Sequence, residues 1–281
     1  MKEKKSKNKL TVGITLYKET IKDLEFSLNN IKDLNNIEIL IHVDNNKELS
    51  NLVKQELPFL KIIESDTNVG LGVSRNKLIN NCSTEWITFL DCKDQLNDDL
   101  ISREINKLDS SIDAYFYQVN IIENKNQKLK EANFSQSKYK LLWLNSIFKF
   151  GNNATAKIYK VDFLQNNEIY FDYKNLYHED LIFTPKLLSK IKKFRIKNLP
   201  IYNWHIQKNS LSSTMNTKKL KDLEYIFNKR RQFFKSLEDS YSLKDAKKSE
   251  WQFVVWHIWK SKKLYYLFQA FYIFKTKNKV S

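Results

Sequence analysis

Residues 86–94 read WITFLDCKD: an apolar run, Trp86–Leu90, that closes on Asp91, Cys92, Lys93 and Asp94. A short apolar run bounded by turn residues predicts a buried strand, and acids at its end are rarely there for stability. Working back along the chain, Asn68–Cys82 (NVGLGVSRNKLINNC) predicts a glycine-bearing turn that feeds a helix. Before it, FLKIIES forms a strand leading to Asp66, and Lys47–Lys54 a helix. Ile37–Val43 (IEILIHV) is a strand that ends on the turn formers Asp44, Asn45 and Asn46. Glu19–Ile31 has apolar residues at helical spacing, and Leu10–Leu16 (LTVGITL) is a β-branched strand ending at Tyr17. Strands alternating with helices in this way predict an α/β fold built on a parallel, doubly wound sheet. Ligands bind such sheets beyond the carboxyl ends of the strands. Tyr17, Asp44, Asp66 and Asp91 all fall there.

Further on, Ala114–Ile122 reads as a strand, 139–148 as an amphipathic segment and Ala156–Tyr159 as a short strand. Glu179 and Asp180 fall in the first turn of a helix that continues through LIFTPKLL. A boundary near Asn216 separates an α/β domain (10–216) from a basic, aromatic helical segment (217–281), and residues 1–9 form a basic tail expected to be disordered. Four Gly and three Pro in 281 residues argue against a linker-rich or collagen-like chain. Two cysteines supply neither a disulfide framework nor metal-ligand spacing, so a reducing, cytoplasmic setting is expected. The first residues lack the apolar core of a signal peptide, and no apolar stretch is long enough to span a bilayer. A net charge of +16 leaves nucleic acid, anionic lipid and phosphorylated small molecules as physically reasonable partners.

Five stretches, in order, resemble the family-2 inverting glycosyltransferases of GT-A fold. Gly13–Glu19 (GITLYKE) resembles that family's first strand, with Lys18 where asparagine is usual. Asn68-Val69-Gly70 with Ser74-Arg75-Asn76 resembles its N-x-G-x-x-x-A-R-N segment. FLDCKD (Phe89–Asp94) resembles F-L-D-x-D-D, Glu179-Asp180 its acidic E-D motif, and Tyr202-Asn203-Trp204 to Ser210 its Y-x-Y-R…S loop. The resemblance covers about residues 10 to 215 and implies a Rossmann-like mixed sheet that binds a nucleotide sugar, flanked by helices.

It also implies chemistry. Glycosyl transfer must neutralise a departing diphosphate, deprotonate an acceptor hydroxyl and align both partners. The implied metal, Mn²⁺ or Mg²⁺, takes oxygen ligands and completes its shell with phosphate and water; Asp91, Asp94 and His205 are the candidate ligands. Tyr17, Glu19, Asp44, Asn68, Gly70, Arg75, Asp91, Cys92 and Ser210 are the implied nucleotide-sugar contacts, with Asp44 facing uracil and ribose. Asp180, with Glu179 beside it, matches the base that takes the acceptor proton. The departures are Lys93, which stands where the second acid is usual, His205 at an arginine position, and Gln207 where a histidine can occur. Lys93 either points away while Asp94 meets the metal, or its ammonium partly replaces the cation.

Plainer readings stand beside these. Asp91 and Asp94 also suit a polar turn with a capping role, Arg75 a surface helix, Glu179 and Asp180 a helix dipole, and Trp204 a half-buried core. The tryptophans and lysines after Lys218 suit either an anionic membrane surface or helices packed on the protein or on a second copy. The resemblance therefore implies an inverting transferase that moves a sugar from a UDP-type donor to a carbohydrate or lipid-linked glycan in bacterial surface-polysaccharide synthesis. The alternative is a nucleotide-sugar-binding partner that has lost catalysis. Nucleic-acid binding has only charge behind it.

Overall fold

The computed structural model describes residues 9–123, 126–130, 153–206, 215–236 and 240–276. Ser210, Gln207, the stretch 139–148 and most of the amino-terminal tail lie outside these residues. The chain divides into two compact units. The first takes the described residues up to 130, with 154–175 and 190–206; the second takes Asn153, 176–189 and the described residues from 215 onward.

The first unit opens with β1 (Leu10–Leu16), α1 (Ile21–Leu28), β2 (Ile37–Asp44), α2 (Lys47–Glu56), β3 (Lys61–Ser65), α3 (Leu71–Asn80) and β4 (Trp86–Asp91). β1 pairs in parallel with β2 and β4, and β2 with β3. β1 is central in this half-sheet, so its residues are buried on both faces apart from the half-buried Thr15, and the polar Thr11 is buried with the rest. Helix α1 starts later than periodicity suggests, because Thr20 caps it. Its hydroxyl accepts from the Asp23 N–H while the Asp23 carboxylate accepts from the Thr20 N–H, a reciprocal capping box.

After β4 the sheet stops being parallel. β5 (Gln95–Leu96), α4 (Asp98–Ile105), β6 (Ala114–Glu123), β7 (Asn126–Lys130), β8 (Lys157–Lys160), α5 (Val161–Asn166) and β9 (Phe194–His205) follow. β8 runs antiparallel to β4 and β6, and β9 parallel to β6. Among the described residues the mixed sheet has nine strands in the order β3-β2-β1-β4-β8-β6-β9-β5, with β7 on β6. All-parallel pairing thus holds for the first four strands, and the sheet as a whole is mixed. Sequence periodicity also missed β9, for a local reason: Pro200 interrupts it. Between the paired positions Tyr117–Lys197 and Val119–Tyr202, β6 advances two residues (119 − 117) and β9 five (202 − 197). Residues 198–201 therefore bulge, a place where proline is tolerated.

The second unit contains α6 (Asp180–Lys190), α7 (Thr217–Ser236), α8 (Ser240–Lys260) and α9 (Tyr266–Thr276). Its core joins Leu181 and Ile182 of α6 to Leu220, Leu223 and Phe227 of α7 and to Val254 and Ile258 of α8. Among the described residues no helix is long and apolar enough to cross a membrane.

Candidate active site

The carboxyl edge of the parallel half-sheet gathers Tyr17, Asp44 and Asp91 at the ends of adjacent strands. Tyr17 is exposed beyond β1. The turn behind it is braced by Glu19, whose Oε2 accepts from the Tyr17 and Lys18 N–H groups at 2.7 and 3.1 Å. Asp44 is buried, and its two oxygens accept from the backbone N–H groups of Val69 and Gly70, each at 2.9 Å. It anchors the turn that starts α3. That turn needs glycine: Gly70 has φ 85°, and a Cβ there would lie 2.9 Å from the Asn175 Cα. Asn68, exposed on the same turn, accepts from Asn175 Nδ2 at 2.9 Å.

Arg75 lies inside the protein. Its side chain is only 3 % exposed, and Nη2 donates to Asp91 Oδ1 at 2.8 Å, while the Asp91 side chain is 45 % exposed. The guanidinium sits 5.6 Å from the Phe89 ring and 5.5 Å from the Phe171 ring. Phe171 is itself held by Asn76, whose amide accepts from the Phe171 N–H and donates to its carbonyl. The surface-arginine reading fails for a physical reason: the buried cation is paired with a carboxylate and covered by aromatic rings. The pair leaves a carboxylate at the solvent edge in a fixed orientation.

Asp94 differs from Asp91. Their turn is closed by the Asp94 N–H donating to the Asp91 carbonyl at 3.0 Å. Asp94 is buried, accepting from the Tyr202 hydroxyl at 2.7 Å and from the His205 N–H at 2.9 Å. The Tyr202 oxygen also accepts from the Asp91 N–H at 3.3 Å. Burial first, then the Asp91 carboxylate, pushes the Asp94 acid up to about 8 against the pull of those two donors. Lys93 adopts a left-handed conformation, φ 79°; its N–H donates to Ser27 Oγ, and its ammonium lies 3.6 Å from the Asp23 carboxylate. Cys92 is half-buried, and burial, with Glu19 and Asp23 nearby, raises its thiol to about 12. The His205 ring packs edge-on against Phe26 with Nε2 buried and unpartnered, and burial lowers its pKa.

Among the described residues no group of three or more His, Cys, Asp and Glu side chains is placed to hold a metal ion. The exposed Asp91 carboxylate suits a divalent ion that takes its remaining ligands from a diphosphate and water.

In the second unit, His178 has φ 63° and its carbonyl accepts from the Leu181 N–H, opening α6. Glu179 is buried and Asp180 half-buried. Acids in this first turn complement the helix dipole, which does not conflict with a proton-accepting role. The His178 ring meets Phe253 at 5.3 Å and His257 at 5.0 Å. Burial lowers His178 to about 3 and His257 to about 4, so both are neutral.

Sequence reasoning does not single out Tyr202, Asn76 or Phe171 as site residues. Tyr202 and Asn76 lie within the motif-bearing segments, which was the available signal; Phe171 had none.

The domain description Glycosyl transferase family 2 matches residues 11–171. An uncharacterised glycosyltransferase of Methanocaldococcus jannaschii, MJ1057, is 26 % identical over 227 residues, covering 73 % of this chain and 76 % of that protein. Crystal structures of S. aureus TarS 1–349 share the fold. The complex with UDP-GlcNAc has a TM-score of 0.61 at 17 % identity, covering 79 % of this chain and 66 % of that one. The complex with UDP has a TM-score of 0.61, covering 89 % and 72 %. The chain thus spans just under two thirds of the first of these structures. The matched residues include the Asn68–Gly70 turn, Arg75 and Asp91 and take in more than half of the chain, which belongs to glycosyl transferase family 2.

Proposed function

We propose that this glycosyltransferase is an inverting enzyme that moves a sugar from a nucleoside diphosphate donor, UDP in the first instance, to a carbohydrate hydroxyl. The setting proposed is bacterial cell-surface polysaccharide or glycoconjugate synthesis. The observation that carries the reading is the Arg75–Asp91 pair, a carboxylate presented at the sheet's ligand edge within the family-2 domain. The solved UDP and UDP-GlcNAc complexes of TarS, which shares the fold, support the donor class.

Asp91 meets the ribose or the diphosphate end of the donor. Asp91, with Asp94 and His205 as the further candidate ligands, would hold a bound Mn²⁺ or Mg²⁺, which would supply positive charge to neutralise the diphosphate. Tyr17 lines the nucleotide edge, while Asp44, Glu19 and Asn68 hold the turns that shape it. In the transfer, the acceptor oxygen forms a bond to the anomeric carbon as the bond to the diphosphate breaks. The acceptor proton passes to Asp180, with Glu179 fixing the helix start. Lys93 supports the reading in which it stands aside, since its ammonium faces Asp23.

Lys93 also motivates the second reading, a nucleotide-sugar-binding partner without catalysis, because it occupies the usual place of an acid. Nucleotide release from a panel of donors, with Mn²⁺, Mg²⁺ or chelator and mixed glycan acceptors, separates the two. Asp180→Asn is expected to slow metal-supported transfer by roughly a hundredfold or more while donor affinity stays within about threefold. Unchanged turnover in that variant removes Asp180 from the mechanism. Release that survives chelator makes Lys93 a substitute charge. Donor binding with no turnover under any condition favours the second reading.

A further inference from the structure

The aromatic residues of the carboxy-terminal helices divide into two sets. Along α8, Phe253, Val254, His257 and Ile258 are buried, whereas Trp251, Trp256 and Trp259 are exposed, Trp259 to 70 %. In α9, Tyr266 and Ala270 face inward, while Phe268 is 83 % exposed and Phe271 is exposed beside it. Leu264 and Tyr265, in the turn between the helices, are exposed as well. The helices thus satisfy their own core and still present a second apolar face. Of the twelve large hydrophobic side chains exposed among the described residues, seven lie between Trp251 and Phe271. Large apolar exposure concentrated in one segment in this way marks an interaction surface.

Its charge selects the partner. Residues 251–276 carry four lysines (Lys260, Lys262, Lys263 and Lys275) and no acid. Lys260 holds its ammonium 5.0 Å from the Trp256 ring, and Lys262 and Lys263 are exposed in the turn. Tryptophan and tyrosine, with an apolar body and a polar edge, favour the headgroup level of a bilayer, and lysines there meet anionic phosphate. A symmetric contact with a second copy would set the same lysines against one another. No helix among the described residues can cross a membrane, so the mode is interfacial.

We propose that the outward face of α8 and α9, with the turn between them, docks this protein on a bilayer surface rich in anionic phospholipid. The inference stands whether or not the transfer reaction is as proposed. It fits an acceptor carried on a lipid.

The full chain would be floated with vesicles of phosphatidylcholine alone and of phosphatidylcholine mixed with phosphatidylglycerol. Flotation with the mixed vesicles is expected, at least about tenfold stronger than with the neutral ones and weakened by salt. Trp259→Ser combined with Phe268→Ser is expected to lower partitioning about tenfold or more while the melting temperature is unchanged. No flotation with anionic vesicles overturns the proposal. So does binding that survives the double variant, which would place the contact on another basic segment. A concentration-dependent dimer that the double variant abolishes, without vesicle binding, would assign the face to a second copy instead. Because donor binding is measured separately, its loss or survival leaves the vesicle result unaffected.

Discussion

Tyr202 carries more of the site than its place in a strand suggests. One hydroxyl donates to the buried Asp94 carboxyl and accepts from the Asp91 backbone N–H, so it ties both acids of the β4 turn to β9. Tyr202→Phe keeps the ring and removes both bonds. A buried acceptor left short of a donor costs roughly 1–3 kcal/mol, so the urea midpoint is expected to fall accordingly. The Asp94 acid, already raised by burial, is expected to rise further because the hydroxyl now lowers it. Stability equal to that of the parent protein would show that the hydroxyl does not brace the turn. Arg75 works by similar logic on the other side of Asp91, where its burial makes the pair a matched set.

At the scale of elements, the start of α3 depends on a backbone conformation. Gly70 combines φ 85°, an N–H donated to Asp44 and contact with Asn175 too close for any side chain. With ψ 165° this is an extended positive-φ conformation that essentially only glycine adopts, so Gly70→Ala adds a strain of roughly 1–3 kcal/mol to a clash that the Asn175 backbone cannot easily relieve. A loss of about 2–4 kcal/mol is expected in chemical unfolding, together with weaker donor binding as α3 and Arg75 shift. If the variant unfolds at the parental midpoint, the turn is not held as tightly as its contacts imply.

For the whole molecule, buried histidines set a pH dependence. His178 and His257 of the second unit are lowered to about 3 and about 4, and His42 of the first to about 4, in each case mainly by burial. A histidine depressed in the folded state contributes its full stability above its ordinary value near 6.5. That contribution is lost as pH falls toward the folded value, because the unfolded chain binds the proton first. Asp94 has the opposite sign. Its raised acid contributes most at low pH, and the contribution is lost as pH rises through about 8. Comparing parent and variant isolates one group. His178→Asn, which tolerates the left-handed backbone, is expected to flatten the unfolding free energy between about pH 6 and 4 by up to roughly 1.4 kcal/mol per unit. Parallel profiles would mean that His178 titrates normally.

The order of strands and helices from Leu10 to Asp91 was legible in the sequence, since each strand is a short apolar run and each helix has its own period and turn residues. So were the acids at the strand ends, because side-chain alternation and the parallel topology determine which end of the sheet they reach. The antiparallel insertion of β8 and the strand β9 were not legible. β8 pairs across long sequence separations, and Pro200 breaks the local alternation of β9, so only the tertiary register with β6 makes it a strand. The same distinction runs through the site. The residue types and their spacing named Asp44, Arg75, Asp91 and Asp94 together. Burial and partners then set them to different tasks: Asp44 to a turn, Arg75 to the interior, Asp94 to a protonated pocket under Tyr202, and Asp91 to solvent. The sequence determined which groups can reach the ligand edge. Only the tertiary structure decided which carboxylate is exposed there, because burial and hydrogen-bond partners come from residues distant in the chain.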